Sequence, residues 1–254
     1  MKRELRDILY SVAPKEDYLI HGKGGFNVIV SAPHGGGIRP ISIPTRKHGT
    51  KSMDTYTRRL TDSILHWGMN YNVHYIISDI HRSKVDLNRN IEDGAQGNSK
   101  AEKIWNEWNS YLSLYKEEVL EDWGKGLYVD IHSQSKTDDF HIGYGVSTAT
   151  YNKIKGNKRH SEKTTLSSLG HSEYEMMFGI HSIRNSLLMQ GFPVHTPKDD
   201  SIYYNGGRNI ELFSGDGLGA IQIECPTSII GENINLCATA LTYAIEIFRS
   251  AFCR

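Results

Sequence analysis

A chain of 254 residues sits near the upper size for one α/β domain around a single core, and 38% hydrophobic with 23% charged residues describes an ordinary globular protein, not a disordered one. Lysine plus arginine equals aspartate plus glutamate at 29 each, so no global field draws the chain to nucleic acid or an anionic membrane surface. No apolar run can span a bilayer, and residues 1–10 lack the apolar stretch of a secretory signal, so the expected setting is cytoplasmic.

In chain order, apolar β-branched runs predict strands at residues 27–32, 73–78, 127–131 and 220–223. Amphipathic helices are expected between and after them. Tyr56, Leu60, Ile64 and Trp67 share one helical face. So do Ala101, Trp105, Trp108, Leu112, Tyr115 and Val119, and later Tyr174, Met177, Ile180, Leu187 and Leu188. A last helix buries Cys237, Leu241, Ala244, Ile245, Phe248 and Phe252, while the Lys-, Asn-, Ser- and Thr-rich residues 151–168 read as a mobile surface loop. The alternation implies one domain over residues 1–254, a three-layer α/β architecture whose mixed, mostly parallel sheet carries helices on both faces.

Each predicted strand runs into a polar, titratable cluster: Pro33-His34-Gly35-Gly36-Gly37, Asp79-Ile80-His81-Arg82, Asp130-Ile131-His132-Ser133 and Gln222-Ile223-Glu224. The carboxyl ends of parallel strands share one edge of an open sheet, so these clusters can converge there. Cys225, Cys237 and Cys253 show no metal-binding spacing, so the ligands of any metal are His, Asp or Glu. His34 suits a ligand whose glycines leave room for metal and substrate, or is incidental to a glycine turn. His132 has Asp130 two residues back on the same strand face to fix its tautomer, as metal-bound histidines often do; the alternative is a buried structural pair. A third ligand is expected at Asp54, at the first turn of the helix after the glycines, with His81 as the competitor. Glu224, a carboxylate on an apolar strand, is the candidate general base, against a structural ion pair. Asn88-Arg89 is the set best shaped to grip a carboxylate.

Pro33-His34-Gly35-Gly36, His81-Arg82 followed by Val85-Asp86-Leu87-Asn88-Arg89, Asp130-Ile131-His132-Ser133, His141-Ile142-Gly143-Tyr144-Gly145 and Gln222-Ile223-Glu224 together resemble, in order, the N-formylglutamate amidohydrolase family. More distantly the chain is similar to the zinc carboxypeptidases and their phosphorylase/hydrolase-like fold. The resemblance implies one zinc ion at His34 and His132 with an acidic third ligand, Glu224 as base and arginines for substrate. It also departs. The carboxypeptidase glutamate three residues after the first histidine is Gly37 here, an acid that some relatives carry after the glycines is replaced by Ile38-Arg39, and an arginine after the last glutamate gives way to Ser228-Ile229-Ile230.

The expected activity is zinc-dependent hydrolysis of the amide bond of an N-acyl amino acid such as N-formylglutamate. In this reading Glu224 moves the proton and Arg82 stabilises the oxyanion. Asn88 and Arg89 hold a substrate carboxylate, and Tyr144, Tyr204, Gly206 and Gly207 line the pocket. The alternatives are a carboxypeptidase-like or poly-γ-glutamate hydrolase and a non-catalytic binding protein that keeps the pocket. The expected partner is a small carboxylate-bearing amide, with neither nucleic acid nor membrane involved. No feature of the sequence specifies an oligomeric state.

Overall fold

The computed structural model describes residues 17–198 and 202–254, so the segment 1–10 read for a signal lies outside the described residues. Six strands, β1 (Leu19–Gly22), β2 (Phe26–Ala32), β3 (Val73–Ser78), β4 (Gly126–Gln134), β5 (His141–Gly143) and β6 (Leu218–Pro226), form one sheet in the order β1-β3-β2-β4-β6-β5. The inner strands β3, β2, β4 and β6 are mutually parallel, and β1 and β5 close the edges in antiparallel fashion.

The sheet is covered on both sides, which the strand residues show by alternating between two cores. Val28, Val30, Val129, Ile131, Ile221 and Ile223 face one of them. That core is shared with α1 (Thr57–Ser63) and, later in the chain, with α6 (Ile183–Met189), α8 (Thr227–Glu232) and α9 (Ile234–Phe252). Ile29, Ile76, Tyr128 and Ala220 face the other core, against the short α2 (Ile91–Gly94), α3 (Ser99–Trp123) and α7 (Arg208–Phe213). In α3 the buried stripe is Ala101, Ile104, Trp108, Leu112, Tyr115 and Val119, and each large side chain in it contributes roughly 1.5–3 kcal/mol of burial. Trp105 sits at the flank, its indole donating to the Arg89 carbonyl at 2.9 Å. The Asn98 side chain caps the start of α3 and left-handed Gly124 ends it.

The four predicted strands are present, and three of them run longer than expected. β4 and β6 are buried along all of Gly126–Gln134 and Leu218–Pro226, so His132 and Glu224 lie within the strands and not beyond them. Nothing in the short sequences of β1 and β5 marks them as strands, because they are held by pairing with β3 and β6. Two helical expectations are corrected. The face through Tyr174 and Leu188 is split into α5 (Glu173–Phe178) and α6 by a break at Gly179, with Ser172 and Ser182 capping the two pieces, and Ile180 is exposed. Trp67 is 73% exposed, because α1 loosens into a π-helical turn over Ile64–Gly68.

The expected loop at 151–168 is largely built into the fold. Its first turn belongs to α4 (Thr148–Lys155), which buries Tyr151 and Ile154. Thr165 then pairs with β6, donating through Oγ1 to the Ala220 carbonyl at 2.6 Å while its own carbonyl accepts from the Ala220 N–H at 3.0 Å. It thereby covers the stretch of β6 that the short β5 leaves unpaired. Among the described residues no helix is long and apolar enough to cross a membrane.

Candidate active site

Parallel pairing alone brings the ends of the inner strands together: Ser31 lies beside Asp130, Asp130 beside Gln222, and His132 beside Glu224. His34 follows β2 by two residues. The glycines after it serve the chain more than a ligand. A Cβ on Gly35 would lie 2.4 Å from the Arg58 nitrogen, and one on Gly36 would lie 2.2 Å from the Asp79 carbonyl carbon, so both let backbone pass close by. Gly37, by contrast, has open space around it.

Asp54 reaches the histidines from the loop before α1, not from its first turn. Its N–H donates to the His34 carbonyl at 3.0 Å, and its own carbonyl accepts from the Thr57 hydroxyl at 2.8 Å. The Ser133 hydroxyl holds the neighbouring Thr55 carbonyl at 2.7 Å. These bonds, made from both sides, direct the Asp54 carboxylate at the imidazoles. Asp54 Oδ2 lies 2.9 Å from His132 Nδ1 and 3.5 Å from His34 Nδ1, and ligand atoms from all three residues fall within 4.8 Å of one another.

The far nitrogens of both rings are engaged by carboxylates. His34 Nε2 meets Asp86 Oδ1 at 2.7 Å, and His132 Nε2 meets Asp130 Oδ2 at 3.1 Å. Each Nδ1 is thereby left facing the common space, the arrangement by which a second carboxylate orients a metal-ligating histidine. Buried His34 Nδ1 has no hydrogen-bond partner among the described residues. Two ring nitrogens and one carboxylate oxygen form a donor set that suits zinc, so the residues fit the metal that the sequence implied. His81 is not part of it: its Nδ1 meets the Ser83 hydroxyl at 2.8 Å and its Nε2 meets Arg39 at 2.7 Å, outside the cluster.

The electrostatics ask for a cation at the same place. Burial works to raise the Asp54 carboxyl, but His34 and His132 outweigh it and hold it well below the usual carboxylate range. Burial works to lower His132, yet Asp130, Asp54 and Glu224 overcome that and favour its positively charged form. Asp86 is likewise held low despite burial, by His34 and then Arg82. Arg82 Nε donates to Asp86 at 2.9 Å and Arg46 donates to it at 3.3 Å, so this carboxylate braces a histidine and two arginines together. Glu224 behaves oppositely, since burial pushes it up to about 7, with Asp54 adding to the effect and His132 opposing it. Its Oε1 accepts from the Gln222 amide at 3.0 Å.

These groups open into a cavity of about 900 Å³ whose walls include Arg82, Arg89, Tyr204, Gly206 and Gly207. Arg82 also approaches Asp54, at 3.4 Å. The Arg89 side chain is exposed and makes no hydrogen bond or ion pair among the described residues. Asn88 is committed inward: its Oδ1 accepts the Asn209 N–H at 2.9 Å and its Nδ2 donates to Gln222 at 3.3 Å. Gly207 packs so tightly on it that a Cβ would lie 2.3 Å from its amide nitrogen. Tyr144 does not line the cavity. It lies in the hydrophobic core, 1% exposed, because the chain turns inward after β5. Tyr204 takes the place at the wall.

Sequence reasoning assigned no role to Asp86, although it stands inside a quoted motif, and it missed Arg46, Gln222 and Asn209. Gln222 carried a readable signal, since it precedes Glu224 by two residues on a strand and must share its face. Asn209, on α7, donates its side-chain amide to Asp130 at 3.3 Å, and nothing local announces that.

No family model and no curated protein sequence matches the chain. Solved structures do. A gene product of Agrobacterium tumefaciens superposes with a TM-score of 0.62 at 13% identity, over 94% of this chain and 98% of that one. The N-formylglutamate amidohydrolase of Ralstonia eutropha superposes with a TM-score of 0.53 at 13% identity, over 92% of this chain and 96% of that one. At this identity the likeness is one of fold, and it spans nearly the whole of each chain.

Proposed function

We propose that this protein is a zinc-dependent hydrolase that cuts the amide C–N bond of an N-acyl amino acid, N-formylglutamate being the type of substrate. The observation that carries the reading is the convergence of His34 Nδ1, His132 Nδ1 and Asp54 Oδ2 beside a glutamate raised to about 7, at the floor of a large cavity. The fold shared with an amidohydrolase supports it. An ion held by these three residues would supply Lewis acidity that polarises the amide carbonyl and makes water more acidic.

The chain's own residues carry the rest. Glu224, whose carboxyl burial raises to about 7, takes a proton from the attacking water and later delivers it to the leaving nitrogen. The water oxygen bonds to the carbonyl carbon, the C–N bond breaks, and a carboxylic acid and an amine leave. Arg82, held by Asp86 through Nε and by Asp54 through Nη1, keeps Nη2 for the oxyanion that develops on the carbonyl oxygen. Arg89 offers its fork to the substrate carboxylate. Asn88, whose amide is committed inward, shapes the wall beside it.

The test is metal analysis together with hydrolysis of N-formyl and N-acetyl amino acids beside their carboxamides and beside short peptides. About one zinc per chain and preference for the free carboxylate are expected, as is loss of that preference in Arg89→Lys by roughly 1.5–3 kcal/mol, the range of charge-assisted hydrogen bonds. Equal loss on acid and carboxamide removes the amino acid assignment, and faster cleavage of peptides replaces it with a peptidase.

A further inference from the structure

A second cavity, of about 620 Å³, adjoins the first and shares Ser52, Met53 and Thr55 with it as a common wall. Asp54, in the middle of that wall, turns toward the histidines. The residues lining the far side include Arg39, Lys51 and His81 together with the hydroxyl groups of Thr45 and Ser83, and no carboxylate is among them.

The cations there are not neutralised. The Arg39 side chain meets only His81 Nε2, at 2.7 Å, and Lys51 donates to the Lys47 carbonyl at 3.0 Å, so neither has a carboxylate partner among the described residues. His81 Nδ1 meets the Ser83 hydroxyl at 2.8 Å and its Nε2 takes an N–H of Arg39, so the guanidinium gives one donor to a neutral ring and its charge is left uncompensated. The other N–H groups of Arg39 have no acceptor among the described residues, and an oxygen of an anionic group would supply one. In a chain of zero net formal charge, uncompensated positive charge gathered behind the wall of the reaction cavity is a local feature that an anionic group would match.

We infer that Arg39, Lys51 and His81 form a subsite for a second anionic group, a carboxylate carried at the far end of the substrate's acyl chain. This rests on the amide-hydrolysis reading above and extends it: the substrate is an N-acyl amino acid whose acyl group is that of a dicarboxylic acid, held at Arg89 by one carboxylate and at Arg39 and Lys51 by the other. Arg39 supplies the planar fork and Lys51 a mobile point charge. Formyl and acetyl groups are too short to reach beyond the wall.

The experiment compares acyl chains of equal length with and without the terminal carboxylate, N-glutaryl against N-valeryl glutamate, in the wild type and in Arg39→Gln/Lys51→Gln. Both substituted side chains are exposed and outside the metal cluster, so the variant should fold and cleave N-formylglutamate at the wild-type rate. The expected result is a preference for glutaryl of at least tenfold in kcat/KM in the wild type that vanishes in the variant. A parallel titration with glutarate and with inorganic phosphate reads binding without turnover. Equal handling of the two acyl chains by both proteins, with hydrolysis intact, overturns the subsite and leaves the reaction standing. Phosphate binding that depends on Arg39 and Lys51 without any preference between acyl chains also overturns it, as a general anion site. Glutarate binding lost in the variant, in a protein that hydrolyses no amide, keeps the subsite and removes the reaction.

Discussion

Glu224→Gln should damage activity and stabilise the metal-free fold, and both effects follow from one buried carboxyl. Burial raises this group from its ordinary 4.5 to about 7, so the folded protein disfavours the carboxylate by about 3 kcal/mol relative to the unfolded chain. A folded pKa above the unfolded one means that the stability contribution is complete below pH 4.5 and is lost as pH rises through 7. Glutamine is nearly isosteric and carries no charge, so it removes that loss while the Gln222 amide can still find an oxygen acceptor. Denaturant unfolding with chelator present should show the variant more stable than the wild type by about 3 kcal/mol at pH 8.5 and little different at pH 4.5. Turnover should fall by roughly a hundredfold or more, because no base remains. Metal content should stay as in the wild type, since Glu224 is not among the three convergent ligand atoms. A variant no more stable at pH 8.5 than at pH 4.5, relative to wild type, would refute the electrostatic reasoning, and loss of metal would make Glu224 a ligand.

Three further outcomes are expected. His34→Ala, His132→Ala and Asp54→Ala should each lose most bound zinc while His81→Ala keeps it, read by elemental analysis of protein passed over a desalting column. Asp86→Asn retains an acceptor for His34 Nε2 but loses the charge, so zinc affinity measured by competition with a chelator should drop about 10- to 100-fold. Burial and then His195 hold His141 down at about 4, so its neutral ring contributes stability that is complete above its ordinary 6.5 and lost as pH falls toward 4. His141→Phe should therefore lose about 2 kcal/mol less than the wild type between pH 7 and pH 5 in denaturant unfolding, and an unchanged acid profile would exclude this source.

Much of the fold was legible because it depends on local pattern. Apolar runs of strand length and the stripes of α3 and α9 are properties of neighbouring residues, and burial follows from them directly. The expectation that polar clusters meet at one edge needed only parallel strands, and the register places His132 beside Glu224 and Asp130 beside Gln222. Strand ends were less legible: β4 and β6 continue through polar residues because they pair with each other as far as Gln134 and Pro226, and no single sequence segment records its neighbour.

Tertiary structure separated candidates that the sequence could only rank or set side by side. Asp54 and His81 are both plausible third ligands by type and position. The Asp54 N–H donating to His34 and the Thr57 hydroxyl donating to the Asp54 carbonyl turn one toward the histidines, while Ser83 and Arg39 hold the other away. Tyr144 and Tyr204 are alike as aromatic candidates, and only the inward path after β5 sends Tyr144 to the core. Asn88 lines the cavity, and the direction of its amide is set by Asn209 and Gln222, both more than a hundred residues away in sequence. Sequence by itself determined which residue types stand at the sheet edge. Long-range packing determined where each side chain points, because a side chain's direction is set by the partners that satisfy its polar atoms, and those partners come from other segments.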